Sequence, residues 1–133
     1  MIPNDYQVGG SHYKSTYQPW DFTIDVFGSD FFLGSANKYL TRWKRKGGVE
    51  DLNKARHYLD KFRLTTPSLG WPWQTPTGAT ALLAHYVACN DIGLMEEAIL
   101  KSMMKGQIGT AISQLDRLIH HETLRDSAQP GQI

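Results

Sequence analysis

From Asp30 onward the apolar residues Phe32, Leu33, Ala36, Tyr39, Leu40 and Trp43 recur every three to four positions, the spacing of one helical face. Ser29 suits the N-cap and Asp30 the first turn, while Gly47 and Gly48 end the segment at little steric cost. A second helix is expected from Val49, with Glu50 and Asp51 at the positive end of its dipole and Leu52, Ala55, Leu59 and Phe62 as its apolar face. So short a connection predicts a helical hairpin, about 30–46 and 49–63.

Further along, Leu64 to Gly78 carries three prolines and two glycines and reads as a linker, which Trp71 and Trp73 are expected to pin to a core or a neighbouring subunit. Thr77 suits the cap of a helix bearing Leu82, Leu83, Tyr86 and Val87. A short helix over Leu94–Met104 follows, then a last one with Ile108, Ala111, Ile112, Leu115, Leu118 and Ile119 on its apolar side. Residues 1–28 lack sustained periodicity and are expected to form an ordered arm, in which "DFTIDVF" alternates as a short strand or a first helical turn would. The whole predicts a small all-α domain: an arm and hairpin over 1–63, a linker over 64–78, a C-terminal helical subdomain over 79–126 and a frayed tail over 127–133. Leu82, Leu115 and Ile119 are candidates for an oligomer interface, unless the second half folds back as a lid.

Charge adds a function to this frame. The net charge is only +1, but Lys38 to Arg63 holds nine Lys and Arg against three Asp and Glu. Within it Lys38, Arg42 and Arg45 step at i, i+4, i+7 on the first helix, and Asp51, Lys54, Tyr58 and Lys61 stripe the second. Such a patch favours anions, phosphates above all: a nucleotide, a nucleic acid backbone or an acidic partner, with nucleic acid ranked below a nucleotide.

Other chemistries are poorly represented. There is no GxxxxGK[ST] loop and no GxGxxG, which excludes ordinary P-loop phosphate binding. No metal site is expected, since CxxC and HExxH are absent and adjacent His120 and His121 point to different sides of a helix. No ExxE pair of a magnesium-dependent phosphohydrolase occurs, and a site assembled from Asp21, Asp25, Glu50 and Asp51 is not signalled. Cys89 lies among apolar neighbours as a small hydrophobe would, and a single cysteine permits no internal disulfide. With no secretory leader and no apolar run of the ~18 residues a membrane span needs, a cytoplasmic protein is expected.

The segments "GGSHY" (Gly9 to Tyr13), "IDV" (Ile24 to Val26) and "FFLGSANKYLTRWKRKGGVEDLNKARHYLDKF" (Phe31 to Phe62) together resemble a small phage protein family catalogued as a domain of unknown function, some members of which are nucleotide kinases without a P-loop. The family pattern runs Ser-His-Tyr, Ile-Asp/Glu-Val, Leu-Gly-Asn-x-x-Lys-Tyr, an Arg three residues on, a basic turn, then Glu-Asp-Leu-x-Lys-Ala and a Tyr. Residues 64–133 lie outside the resemblance. It implies phosphoryl transfer to a (deoxy)nucleoside monophosphate in the cytoplasm of an infected cell, with a nucleoside triphosphate as donor and magnesium dependence left open. Lys38, Arg42 and His12 become the catalytic candidates. Tyr13, Gly34, Ser35, Lys46, Asp51, Lys54 and Tyr58 become substrate contacts, with Asp25 or Asp51 holding a sugar hydroxyl, a metal ion or Arg42. Ser35 departs from the family's Asn and reaches less far. Phosphoryl transfer spreads charge over the moving group's oxygens, so cations on facing helices suit it. Sequestration of a host signalling nucleotide and nucleotide phosphohydrolysis are the alternatives, with a homo-oligomer expected because two helices offer only a shallow site.

Overall fold

A computed structural model describes residues 16–27, 30–65 and 78–128. Among them are six α-helices, one π-helical turn and no strand: α1 Pro19–Phe22, the π turn Thr23–Phe27, α2 Phe31–Arg42, α3 Val49–Thr65, α4 Ala79–Asn90, α5 Leu94–Met104 and α6 Ile108–Ala128. The fold is all-α. The "DFTIDVF" segment is helical: Pro19 at the first turn supplies a preset φ, and Gln18 and Asp21 form a reciprocal capping box.

Several boundaries differ from those expected. Asp30, not a residue inside the first turn, caps α2, its carboxylate accepting from Leu33 N–H at 2.7 Å. Ser29 and Thr77, the other expected caps, lie outside the described residues. Regular α-helix ends at Arg42, and Trp43–Gly48 form a turn closed by Gly48 N–H donating to the Trp43 carbonyl at 2.8 Å. Gly48 takes φ +59, a left-handed conformation that glycine adopts without a side-chain clash. At the other end α6 runs on to Ala128, beyond the expected start of the tail.

The apolar stripes pack as their spacing predicts. Leu33, Ala36 and Leu40 of α2 and Leu52, Ala55, Leu59 and Phe62 of α3 are buried. The second half does not stand apart, because Leu83, Tyr86, Ile99, Leu100, Met103, Ala111, Leu115 and Leu118 belong to the same cluster. Leu115, expected as an interface candidate, is fully buried in this chain's own core, and Leu82 and Ile119 pack against it. Arg56 of α3 pairs with Asp116 of α6 at 2.6 Å across the outside of this contact.

A buried polar network ties the π turn, α2 and α4 together. Asn37, fully enclosed, donates to Thr23 Oγ1 at 3.1 Å and accepts from Thr41 Oγ1 at 3.2 Å. The Tyr86 hydroxyl bonds Thr41 and reaches Asn37 Oδ1 at 3.4 Å, while its ring stacks on Phe22 at 4.4 Å. Asn90 donates to the Tyr17 and Tyr86 carbonyls at 2.6 and 3.1 Å. Satisfied networks of this kind select one packing arrangement, since each partner left alone would be costly to bury. Among the described residues no helix is long and apolar enough to cross a membrane.

Candidate functional site

Antiparallel packing of α2 and α3 brings Tyr39 and Tyr58 side by side. Their rings are nearly parallel, 6° apart in plane and 5.9 Å between centroids. Tyr39 is also the point on which the cations converge: Arg42 Cζ lies 4.7 Å from its centroid, and Lys38 Nζ and Lys54 Nζ each lie 5.4 Å away. These separations are within the reach of cation–π attraction. Lys38 and Arg42 come from successive turns of α2, and Lys54 from the facing turn of α3. Beside them an open groove of about 350 Å³ is lined by Tyr39, Glu50, Asn53, Lys54, His57 and Tyr58.

The cations are not equally available. Arg42 donates from Nε and Nη2 to the two oxygens of Asp51 at 3.0 and 3.3 Å, and Asp51 is only 1% exposed. The carboxylate lies over Gly47, where any β-carbon would collide with it. Lys44 turns toward α5 and pairs at 3.1 Å with buried Glu96, which also accepts from Trp43 Nε1 at 3.3 Å. Lys54 has a looser partner in Glu50, 3.8 Å away and 79% exposed. Lys38 and Lys46 are exposed and make no ion pair among the described residues. Part of the cationic run therefore fastens the fold, while Lys54 lines the groove and Lys38 stands beside Tyr39 at its wall.

Residues 8–60 match the family DUF3310, a protein of unknown function. The match covers α2 and α3 as far as Asp60, and α4 to α6 lie beyond it. No curated protein and no solved structure matches the chain.

Of the residues singled out in sequence, the structure brings Lys38, Arg42, Lys54 and Tyr58 together around Tyr39, with Asp51 beneath Arg42. Gly34 has a packing role: a β-carbon there would lie 2.9 Å from Thr23 Cγ2, so α2 needs glycine to approach the π turn. Ser35 is half-buried on the same helix, and Lys46 is exposed in the connecting turn. Asp25 accepts from the Tyr17 hydroxyl at 2.8 Å, and burial, reinforced by that carboxylate, pushes the Tyr17 phenol well above its ordinary range. His12 and Tyr13 lie outside the described residues. Among the described residues no three His, Cys, Asp or Glu side chains gather to hold a metal ion.

Tyr39, Asn53 and His57 are the groove residues that the charge pattern does not single out. In sequence Tyr39 reads as part of the apolar stripe of α2, and for Asn53 and His57 the signal was present: Glu50, Asn53, Lys54 and His57 step along α3 at three- and four-residue spacing. Counting uncharged polar and aromatic residues with the cations would have recovered them.

Proposed function

We propose that the α2–α3 groove binds a nucleoside phosphate and that the protein is a nucleotide kinase without a P-loop, acting on a (deoxy)nucleoside monophosphate in a phage-infected cell. The observation that carries the binding is the placement of Lys38, Arg42 and Lys54 around one tyrosine ring at the edge of a groove. A base stacks on Tyr39 or Tyr58, while Lys38 and Lys54 meet the phosphate as mobile point charges. Asn53 and His57 supply hydrogen-bonding groups along the same wall. Phosphoryl transfer is the activity that the resemblance implies: the acceptor phosphate oxygen attacks the donor's γ-phosphorus, the bond to the bridging oxygen breaks, and two nucleoside diphosphates leave. A second copy of the chain is proposed to deepen this open groove. Light scattering at micromolar concentration tests that, and a monomeric mass removes it.

One observation favours a second reading, binding without turnover. One edge of the Arg42 guanidinium, Nε and Nη2, is committed to Asp51, so the residue suited to a transferring phosphoryl group is anchored by the fold. Incubation with each nucleoside monophosphate and ATP, with and without magnesium, followed by ion-exchange separation, decides between them. A diphosphate product that is lost in Lys38→Ala supports the kinase. Saturable binding of one nucleotide with no diphosphate supports sequestration. Neither product nor binding overturns both.

A further inference from the structure

Phe31 opens α2 with 68% of its surface exposed, although it is a large apolar residue on a helix whose other face is buried against α3. It is not isolated. Its ring lies 5.8 Å from Tyr58, at 81°, and Tyr58 in turn lies 5.9 Å from Tyr39. Three aromatic rings thus follow one another across the α2–α3 surface, and Phe31 sits outside the groove lining at the far end of the line.

Positive charge predominates along this line. Asp51 is paired with Arg42 and Asp60 with Arg63 at 2.6 Å, Glu50 stands 3.8 Å from Lys54, and Asp30 is used as the cap of α2. Lys38 and Lys61 are exposed and carry no ion pair among the described residues. Lys61 follows His57 by four residues on α3 and extends the positive edge in the direction away from Lys54.

We infer that this surface takes single-stranded nucleic acid, with one base at the Tyr39–Tyr58 groove and the next on Phe31. The inference rests on the reading of the groove as a nucleotide site. Aromatic rings in series beside unpaired cations are the general solution for binding unpaired strands: every base has a face to stack, and the backbone follows the positive charge. Phe31 packs edge-on against Phe32 and Tyr58 and still leaves most of its surface open, and a duplex would hide the base faces that the rings offer.

Calorimetric titration with the four deoxynucleoside 5′-monophosphates, their 5′-phosphorylated homodinucleotides and the matching ribodinucleotides tests it. The dinucleotides are expected to bind roughly tenfold more tightly than the monophosphates, a difference of about 1.4 kcal/mol. Phe31→Ala is expected to erase that gain without changing monophosphate affinity, and Phe31→Tyr to keep it. Because Phe31 is exposed, both variants are expected to fold, which circular dichroism checks. Comparing deoxy with ribo dinucleotides distinguishes DNA from RNA as the source of the strand. Dinucleotides that bind no better than monophosphates overturn the two-base surface and leave the mononucleotide site standing. No binding of any monophosphate or dinucleotide overturns both.

Discussion

Arg42 and Asp51 clasp the two helices of the hairpin at the turn that joins them. Two hydrogen bonds of 3.0 and 3.3 Å run from one guanidinium edge to one carboxylate, which is sealed from solvent on its other side by the bare backbone of Gly47. Removing one member of a buried pair leaves the other desolvated and unmatched. Asp51→Ala is therefore expected to destabilise the fold by about 3 kcal/mol, at the low end for buried pairs because the Arg42 side chain keeps 17% exposure. Urea unfolding of Asp51→Ala, Arg42→Ala and the double variant measures this. A double variant as unstable as the sum of the singles would mean that the two residues do not act as a pair.

Lys38 and Lys54 make the opposite prediction, because neither holds the fold together. Lys38 has no ion pair among the described residues, and the partner of Lys54 is largely in solvent. Each alanine substitution is expected to change stability by less than about 0.5 kcal/mol. The same substitutions are expected to weaken nucleoside monophosphate binding about tenfold, the loss of one charge-assisted contact. Titration calorimetry at fixed ionic strength reads the effect. Unchanged affinity in both variants removes the phosphate role from this face. Arg42→Ala is a poor substitute in that experiment, since its effect on binding would arrive mixed with the loss of the Asp51 contact.

Tyr17 gives the fold a defined alkaline weakness. Its ring is buried and its hydroxyl donates to Asp25, so the folded state holds the phenolic proton more tightly than the unfolded chain, whose tyrosines titrate near pH 10. A raised folded value means that the contribution is complete below about pH 10 and is lost as the pH climbs beyond it. The stability gap between the native chain and Tyr17→Phe should stay constant up to about pH 9. It should then close with a slope approaching about 1.4 kcal/mol per pH unit. Lysine titration affects both proteins and cancels in the difference. Urea midpoints at pH 8, 9, 10 and 10.5 give the comparison, and parallel curves throughout would sink the idea.

What could be read in the sequence was what depends on local periodicity. The buried positions of α2 and α3 follow from three- and four-residue spacing, and α5 occupies the expected Leu94–Met104. Contacts between distant segments carry no such local signal. Nothing near Lys44 announces that Glu96 will neutralise it, or that the Tyr86 hydroxyl will settle on Thr41 and Asn37 and so place α4 within the core of the hairpin. The same limit governs the site. A count of charges locates the basic hairpin, but which cations are spent on the fold is decided by partners such as Asp51 and Glu96, visible only once the helices are packed. The alternation in "DFTIDVF" suits a strand and a helical turn alike, and the Gln18–Asp21 cap and Pro19 decide for the helix.

Gly34 separates a packing role from a ligand role by a compensating substitution. It lies inside α2, where alanine would ordinarily gain up to about 1 kcal/mol of helix propensity. Here the added methyl would sit 2.9 Å from Thr23 Cγ2, and a β-branched side chain anchored through Oγ1 to Asn37 has little room to turn away. Overpacking of this kind costs about 1–3 kcal/mol, so Gly34→Ala is expected to be a net loss of about 1 kcal/mol. Thr23→Ser deletes the offending methyl and retains the hydroxyl that Asn37 uses. The double variant Gly34→Ala/Thr23→Ser should therefore recover the stability of Thr23→Ser alone or exceed it. If Gly34→Ala instead leaves stability untouched while abolishing nucleotide binding, the glycine serves a ligand's approach and not the seat of α2 on the π turn.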